Sequence, residues 1–341
     1  MRVAVLTEPG EFEIRERERP EPAADEALVR VREVGICGSD LHYYEHGRIG
    51  DSVVREPHVL GHESAGEVEA VGSDVDSLTA GDRVAIEPGL PCRRCAYCKA
   101  GEYHLCPDVT FIGSPPVDGA FAEYVAWPAD FCHRLPETVS TREGALCEPL
   151  SVGIHAARRG EVATGDSVLV TGAGPIGHCV MEAVRAAGGT EVLVSEPVEE
   201  KRERALTRGA DHVVDPSTES LAEAVGEYTE GRGVNVAIEA SGARPAIETV
   251  PETVRRGGTV VLVGMPTAET VDVDALGAIN AEVDVRGSYR YANTYPTAIE
   301  LLADDVVDVS SMVEFDAPLA DVESAFERAL DPVTVKGTIH P

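Results

Sequence analysis

Ser167-Val-Leu-Val-Thr-Gly-Ala-Gly-Pro-Ile-Gly177 carries the pattern that decides the fold: an apolar run passes directly into a glycine-rich turn. Ser167–Thr171 reads as a buried strand, and the residues from about Pro175 to Ala187 read as the helix that follows. Gly172 makes the tight turn, Gly174 lets the backbone approach a pyrophosphate, and Gly177 lets helix and strand pack closely. Pro175 and Ile176 complete the loop, and the helix amino terminus turns unpaired amides and a positive dipole end towards phosphates. Such a loop is weak evidence alone, but its context agrees. Glu196 lies 24 residues after Gly172, at the end of the next strand. A carboxylate there accepts hydrogen bonds from the adenosine ribose and repels a 2′-phosphate, so NAD is expected over NADP. Lys201 and Arg202 follow closely, and a phosphate held by them is the competing reading.

Outward from this loop the alternation continues. Glu191–Ser195, His212–Val214, Val234–Ala240 and Thr259–Gly264 read as strands, with helices over Glu199–Arg208, Leu221–Tyr228 and Pro245–Arg255. Near-continuous apolar strands alternating with helices predict a parallel sheet covered on both faces, an α/β domain. The first 150 residues are different: short β-branched runs at Ala27–Val34, Glu67–Val71 and Arg83–Ile86 are broken by Gly, Pro and Asp turns, and helical periodicity is weak. Beyond the alternating region, Thr294–Leu302 and Leu319–Leu330 look helical and Val333–Ile339 looks like a strand, a tail expected to return to the β-rich domain.

A hydrophobic content of 43% and a mean hydropathy of −0.08 suit a soluble globular chain of 341 residues, long enough for two domains. No apolar run reaches 18 residues, and Met1 to Arg15 is charged where a signal peptide needs an apolar stretch, so a cytoplasmic protein with no membrane segment is expected. Sixty acidic residues against 29 basic ones give a net charge of −31, and the only lysines are Lys99, Lys201 and Lys336. A field of that sign disfavours nucleic acid and anionic membranes as partners. The composition resembles that of proteins from salt-accumulating halophiles, which predicts a need for high salt.

Four of the eight cysteines cluster as Cys92-x2-Cys95-x2-Cys98-x7-Cys106. In a cytoplasmic chain this favours metal over disulfides, and four thiolates close a tetrahedral shell, so a structural zinc is expected. A second set is dispersed: Cys37 in Gly35-Ile-Cys-Gly-Ser-Asp-Leu-His42, His62-Glu63 in Gly61-His-Glu-Ser-Ala-Gly66, and Glu148 in Cys147-Glu-Pro-Leu150. A thiolate, an imidazole and a carboxylate with one exchangeable position form the open geometry of catalytic zinc. Spacing alone does not bring these groups together. Taken singly, Cys37 reads more often as a buried core residue and His62 as a satisfied histidine.

These segments together resemble the zinc-containing medium-chain dehydrogenases, most closely their sorbitol (polyol) dehydrogenase branch. The resemblance spans essentially the whole chain and includes Gly35–Tyr44, Leu60–Glu63, the four-cysteine lobe, Glu148–His155, Gly172–Gly177 and Arg290–Thr294. It implies a GroES-like catalytic domain over residues 1–149 and 290–341, carrying the structural-zinc lobe at about 88–107, and a Rossmann domain over residues 150–289. It further implies two zinc ions, the catalytic one on Cys37, His62 and Glu63 with Glu148 nearby. Asp40 is expected to orient His62, Ser39 to act as a relay hydroxyl, and His42 to end the proton path to solvent. Tyr43, Glu148, Arg290 and Tyr291 match positions that contact the sugar alcohol, whereas His155 reads as structural. The implied chemistry is ionisation of a zinc-held secondary hydroxyl and hydride transfer to nicotinamide. Threonine, butanediol and aldose dehydrogenases of the same superfamily are the alternatives, and a non-catalytic zinc scaffold is the remote one. A homotetramer or homodimer is expected, with an apolar strand near Val283–Gly287 as the pairing edge.

Overall fold

The structure, a computed structural model, describes residues 1–50, 52–266 and 270–341. The chain forms two compact units, one comprising Met1–Glu148 with Tyr295–Pro341 and the other Pro149–Thr294.

The second unit is built on a six-stranded sheet whose strands are all parallel, as the apolar alternating pattern requires. Its spatial order is His212–Val214, Glu191–Ser195, Ser167–Thr171, Val234–Glu239, Val254–Leu262, Asp284–Gly287. Numbered along the chain this is 3-2-1-4-5-6, the doubly wound order in which connections reverse beside the first strand and open a crevice at its carboxyl end. Leu169, Leu193, Ala237 and Val260 are buried with Leu221, Ala224 and Val225 from a covering helix. Gly177 is required by packing: a Cβ there would collide with the Gly172 carbonyl oxygen. The expected helix over Pro245–Arg255 is shorter, Arg244–Thr249 followed by a single 3-10 turn. Pro251 supplies no amide to continue it, and Val254 already begins the next strand.

The first unit is a seven-stranded, largely antiparallel sheet. Glu26–Gly35 lies at its centre, flanked by Glu63–Val71 and, from the tail, Lys336–His340. The alternation in Glu26–Gly35 buries Val29, Val31 and Leu28 while Arg30 and Arg32 stay exposed. Beneath it, Phe326 of the helix Val322–Ala329 packs edge-on against Phe12 and Phe121 at ring separations of 4.8 and 5.6 Å. The first 150 residues are β-rich as expected, but one long helix at their end was not anticipated: Thr141–Arg159 runs 19 residues with Pro149 inside it. Its start is fixed by a reciprocal cap, in which Glu143 N–H donates to Ser140 Oγ and Ser140 N–H donates to the Glu143 carboxylate. No helix among the described residues is long and apolar enough to cross a membrane.

Candidate active site

Antiparallel pairing assembles the dispersed residues. Gly35 and Glu63 are register partners on neighbouring strands, so Cys37, two residues beyond one, meets His62, one residue before the other. Cys37 caps the helix Gly38–His46, and Asp40 in its first turn is buried. Asp40 accepts from Cys37 N–H at 3.1 Å and from Gly61 N–H at 3.2 Å, tying the two ligand-bearing loops together. Its Oδ1 stands 3.5 Å from His62 Nδ1. The ligand atoms of Cys37, His62 and Glu63 all lie within 4.8 Å of one another. Glu148 is buried and is not a member of that group.

Two features explain the room and charge at this point. Gly35 is necessary because a Cβ there would collide with the Glu63 carboxylate. That carboxylate is ion-paired with Lys336, a buried lysine from the tail strand whose Nζ also donates to the Ile36 carbonyl at 2.9 Å. Burial pushes His62 towards neutrality, but the Asp40 carboxylate and the Cys37 sulfur outweigh it and hold the imidazole well above its ordinary value. A pocket that attracts a proton so strongly is electrostatically prepared for a cation, and the thiolate, imidazole and carboxylate suit zinc.

The helix that follows Cys37 carries the remaining nearby candidates. Ser39 is half-buried, His42 is exposed, and Tyr43 is buried with its hydroxyl donating to Ser52 Oγ at 2.8 Å. His46, one turn beyond His42, is also exposed, with ring centroids 6.1 Å apart.

Cys92, Cys95, Cys98 and Cys106 converge as a second group of four within 4.8 Å. Backbone N–H groups of Arg94 and Cys95 pull the Cys92 thiol down to about 6, whereas burial and the neighbouring sulfurs push Cys98 up to about 12. Four sulfurs competing for protons in one small volume are the donor set of a closed zinc shell. Short strands Gly89–Leu90 and Thr110–Phe111 pair beside this lobe, and the Phe111 ring sits 5.5 Å from that of His62. Tyr103 in the lobe donates to Glu87 Oε1 at 2.7 Å, and His133 Nε2 lies 2.8 Å from Glu87 Oε2. Glu87 is a buried anchor whose role no motif or spacing around it reveals.

In the other unit, Glu196 is buried and accepts from Ala173 N–H at 2.8 Å and Val198 N–H at 3.0 Å. The carboxylate therefore braces the glycine loop itself. Arg202 donates to the Glu196 carbonyl and pairs with Asp215, while Lys201 is half-buried. Glu239, fully buried at the end of the adjacent strand, accepts from Ser241 N–H and Gly242 N–H at 2.8 and 3.0 Å and from Thr171 Oγ1 at 3.2 Å. It organises the loop facing Gly172 and was not anticipated. Arg290 adopts a left-handed backbone and lies over the Tyr289 ring at 4.8 Å, and Tyr291 and His155 are buried. Lys336 was visible as one of three lysines, but nothing local to it points to Glu63.

Known proteins resemble the chain over most of its length. Residues 23–137 match the alcohol dehydrogenase GroES-like domain, and residues 175–304 match the zinc-binding dehydrogenase domain. The chain is 43% identical over 330 residues to a sorbitol dehydrogenase of Bacillus subtilis, covering 97% of this chain and 94% of that protein. Human sorbitol dehydrogenase is 44% identical over 326 residues, covering 95% and 91% respectively. An Escherichia coli oxidoreductase of unknown specificity superposes with a TM-score of 0.95 at 38% identity, over 99% of this chain and 98% of that one.

Proposed function

Since the chain belongs to the zinc-binding dehydrogenases, within their sorbitol dehydrogenase branch, we propose that it oxidises a secondary hydroxyl of a sugar alcohol to the ketose with NAD as hydride acceptor. The convergence of Cys37, His62 and Glu63 on one point carries the reading, supported by relatives named for sorbitol at 43 and 44% identity. Zinc, when bound, supplies the positive charge that makes a hydroxyl a stronger acid, and the dinucleotide supplies the hydride acceptor. Cys37, His62 and Glu63 hold the first of these, with Glu148 as a nearby carboxylate. Asp40 fixes the His62 ring and the Cys37 loop. Ser39 receives the substrate proton and His42, exposed to water, releases it. Tyr43, Glu148, Arg290 and Tyr291 supply polar contacts that a polyol needs and a simple alcohol does not, since each stranded polar group costs about 1–3 kcal/mol.

The four-cysteine lobe holds the second, structural zinc. Gly172, Gly174 and Gly177, with Pro175 and Ile176, receive the pyrophosphate at the helix amino terminus. Preference for NAD is supported by the acid Glu196 at the strand end and by the engagement of Arg202 with Asp215. The unit with Cys37 is the catalytic domain and the parallel-sheet unit the dinucleotide-binding domain. Self-association, as a tetramer or dimer, is supported by the edge strand Asp284–Gly287, where Val285 is 48% exposed, and by Leu276 and Ile279 at 67 and 72%. The net charge of −31 supports a cytoplasmic protein of a high-salt interior that binds neither nucleic acid nor membranes.

The test is a panel of sorbitol, xylitol, ribitol, threonine, butanediol and glucose assayed with NAD and with NADP in high salt. Polyols with NAD are expected to give the highest kcat/KM. A higher value for threonine, butanediol or glucose would reassign the substrate, and a higher value with NADP would reassign the acceptor.

A further inference from the structure

The helix Gly38–His46 presents two imidazoles that none of the preceding roles accounts for as a pair. His42 and His46 are four residues apart, so they stand one above the other on a single helix face. Both are exposed, their rings are 6.1 Å apart and inclined by 34°, and neither has a hydrogen-bond or ion-pair partner among the described residues. The helix stops at Gly47, so His46 lies in the last turn, where the carbonyl end of the helix dipole favours positive charge. Glu45, also exposed, flanks the pair, and the chain as a whole carries −31.

We propose that His42 and His46 form a surface chelate for a borderline divalent cation of the Ni2+, Cu2+ or Zn2+ class, separate from the buried ligand groups. Imidazole nitrogens suit these ions, and Mg2+ and Ca2+, which prefer oxygen ligands, are excluded by the donor set. Water completes the shell. Exposed histidine side chains turn about two torsions, enough to bring one nitrogen of each ring to a common ion. The chelate uses the lone pair with which His42 would accept a proton. An ion bound there therefore slows alcohol oxidation, a consequence that rests on the relay role given to His42 above.

The experiment uses the full-length, zinc-loaded enzyme with Ni2+ as the probe. Equilibrium dialysis measures bound nickel while zinc content is followed by elemental analysis, and NAD-linked oxidation is measured on the same samples. Wild type is expected to take up one Ni2+ per chain without losing zinc and to slow as it does so. His46→Ala and His46→Gln are expected to keep the basal rate, to bind Ni2+ about tenfold more weakly or worse, and to resist inhibition over the same range. Unchanged nickel binding in both variants, or nickel uptake matched by zinc release, would overturn the site. Nickel binding lost in both variants, with wild-type oxidation indifferent to the ion, would uphold the chelate and overturn the relay role of His42.

Discussion

Lys336 and His178 are two buried basic side chains whose environments work in opposite directions. Lys336 is fully enclosed and neutralises Glu63 while fastening the Ile36 carbonyl beside Cys37. Removing it strands a carboxylate in a dry site. Lys336→Met is expected to cost about 3–5 kcal/mol in the zinc-free protein, read from urea unfolding after chelation, and less when zinc is bound beside Glu63. His178 is buried on the helix Pro175–Ala187, and burial, reinforced by Arg208, Arg204 and Lys201, pushes its pKa down to about 3. The unfolded chain takes up the proton near 6.5, so stability is full above that pH and falls as the pH drops from 6.5 towards 3. At pH 5 the loss is about 2 kcal/mol from this residue. Melting curves of His178→Leu should therefore show a smaller decline between pH 7 and pH 5 than wild type. An identical decline would mean that the folded protein protonates His178 near its ordinary value, its burial notwithstanding. Neither role was legible in the sequence, because each depends on partners supplied by distant segments.

At the level of elements, what could be read was what is local. The turn Gly172–Gly177 and the spacing of Cys92, Cys95, Cys98 and Cys106 each place their chemistry within one short segment, and both segments form as expected. Cys37 and His62 carried no such signal: their meeting depends on the Gly35–Glu63 register, which family resemblance supplied and spacing could not. Pro149 hid a helix, although Ser140 and Glu143 at its start form a capping pair that marks a helix amino terminus. Glu87 joins elements in a way that sequence spacing does not reveal. It holds Tyr103 of the cysteine lobe and His133 of the strand Cys132–Arg134 with one carboxylate. Glu87→Ala leaves both groups without their acceptor and should cost about 2–3 kcal/mol in thermal unfolding. Because Phe111 beside the lobe faces His62, the same variant is expected to lose zinc from the Cys37 site faster in a chelator assay. A variant with wild-type melting and zinc release would show the lobe to be held by its metal alone.

For the whole molecule, charge is the governing quantity. With 60 acidic side chains and 29 basic ones, surface repulsion opposes the folded state at low ionic strength. In 1 M salt the Debye length falls to about 3 Å, and most of that repulsion disappears. The melting temperature is therefore expected to rise steeply between 0.1 and 2 M KCl, and a flat profile would refute the high-salt reading. The tail strand Lys336–His340 sits between Glu26–Gly35 and Val313–Pro318, inside the sheet and not at its rim. Lys336 follows Ile36 by 300 residues. During synthesis every ligand of the Cys37 group thus leaves the ribosome long before the lysine that balances Glu63 exists. A nascent chain meets zinc with an unfinished sheet and a carboxylate still uncompensated, so metal captured before release of the polypeptide is held by a different set of forces from metal captured after it.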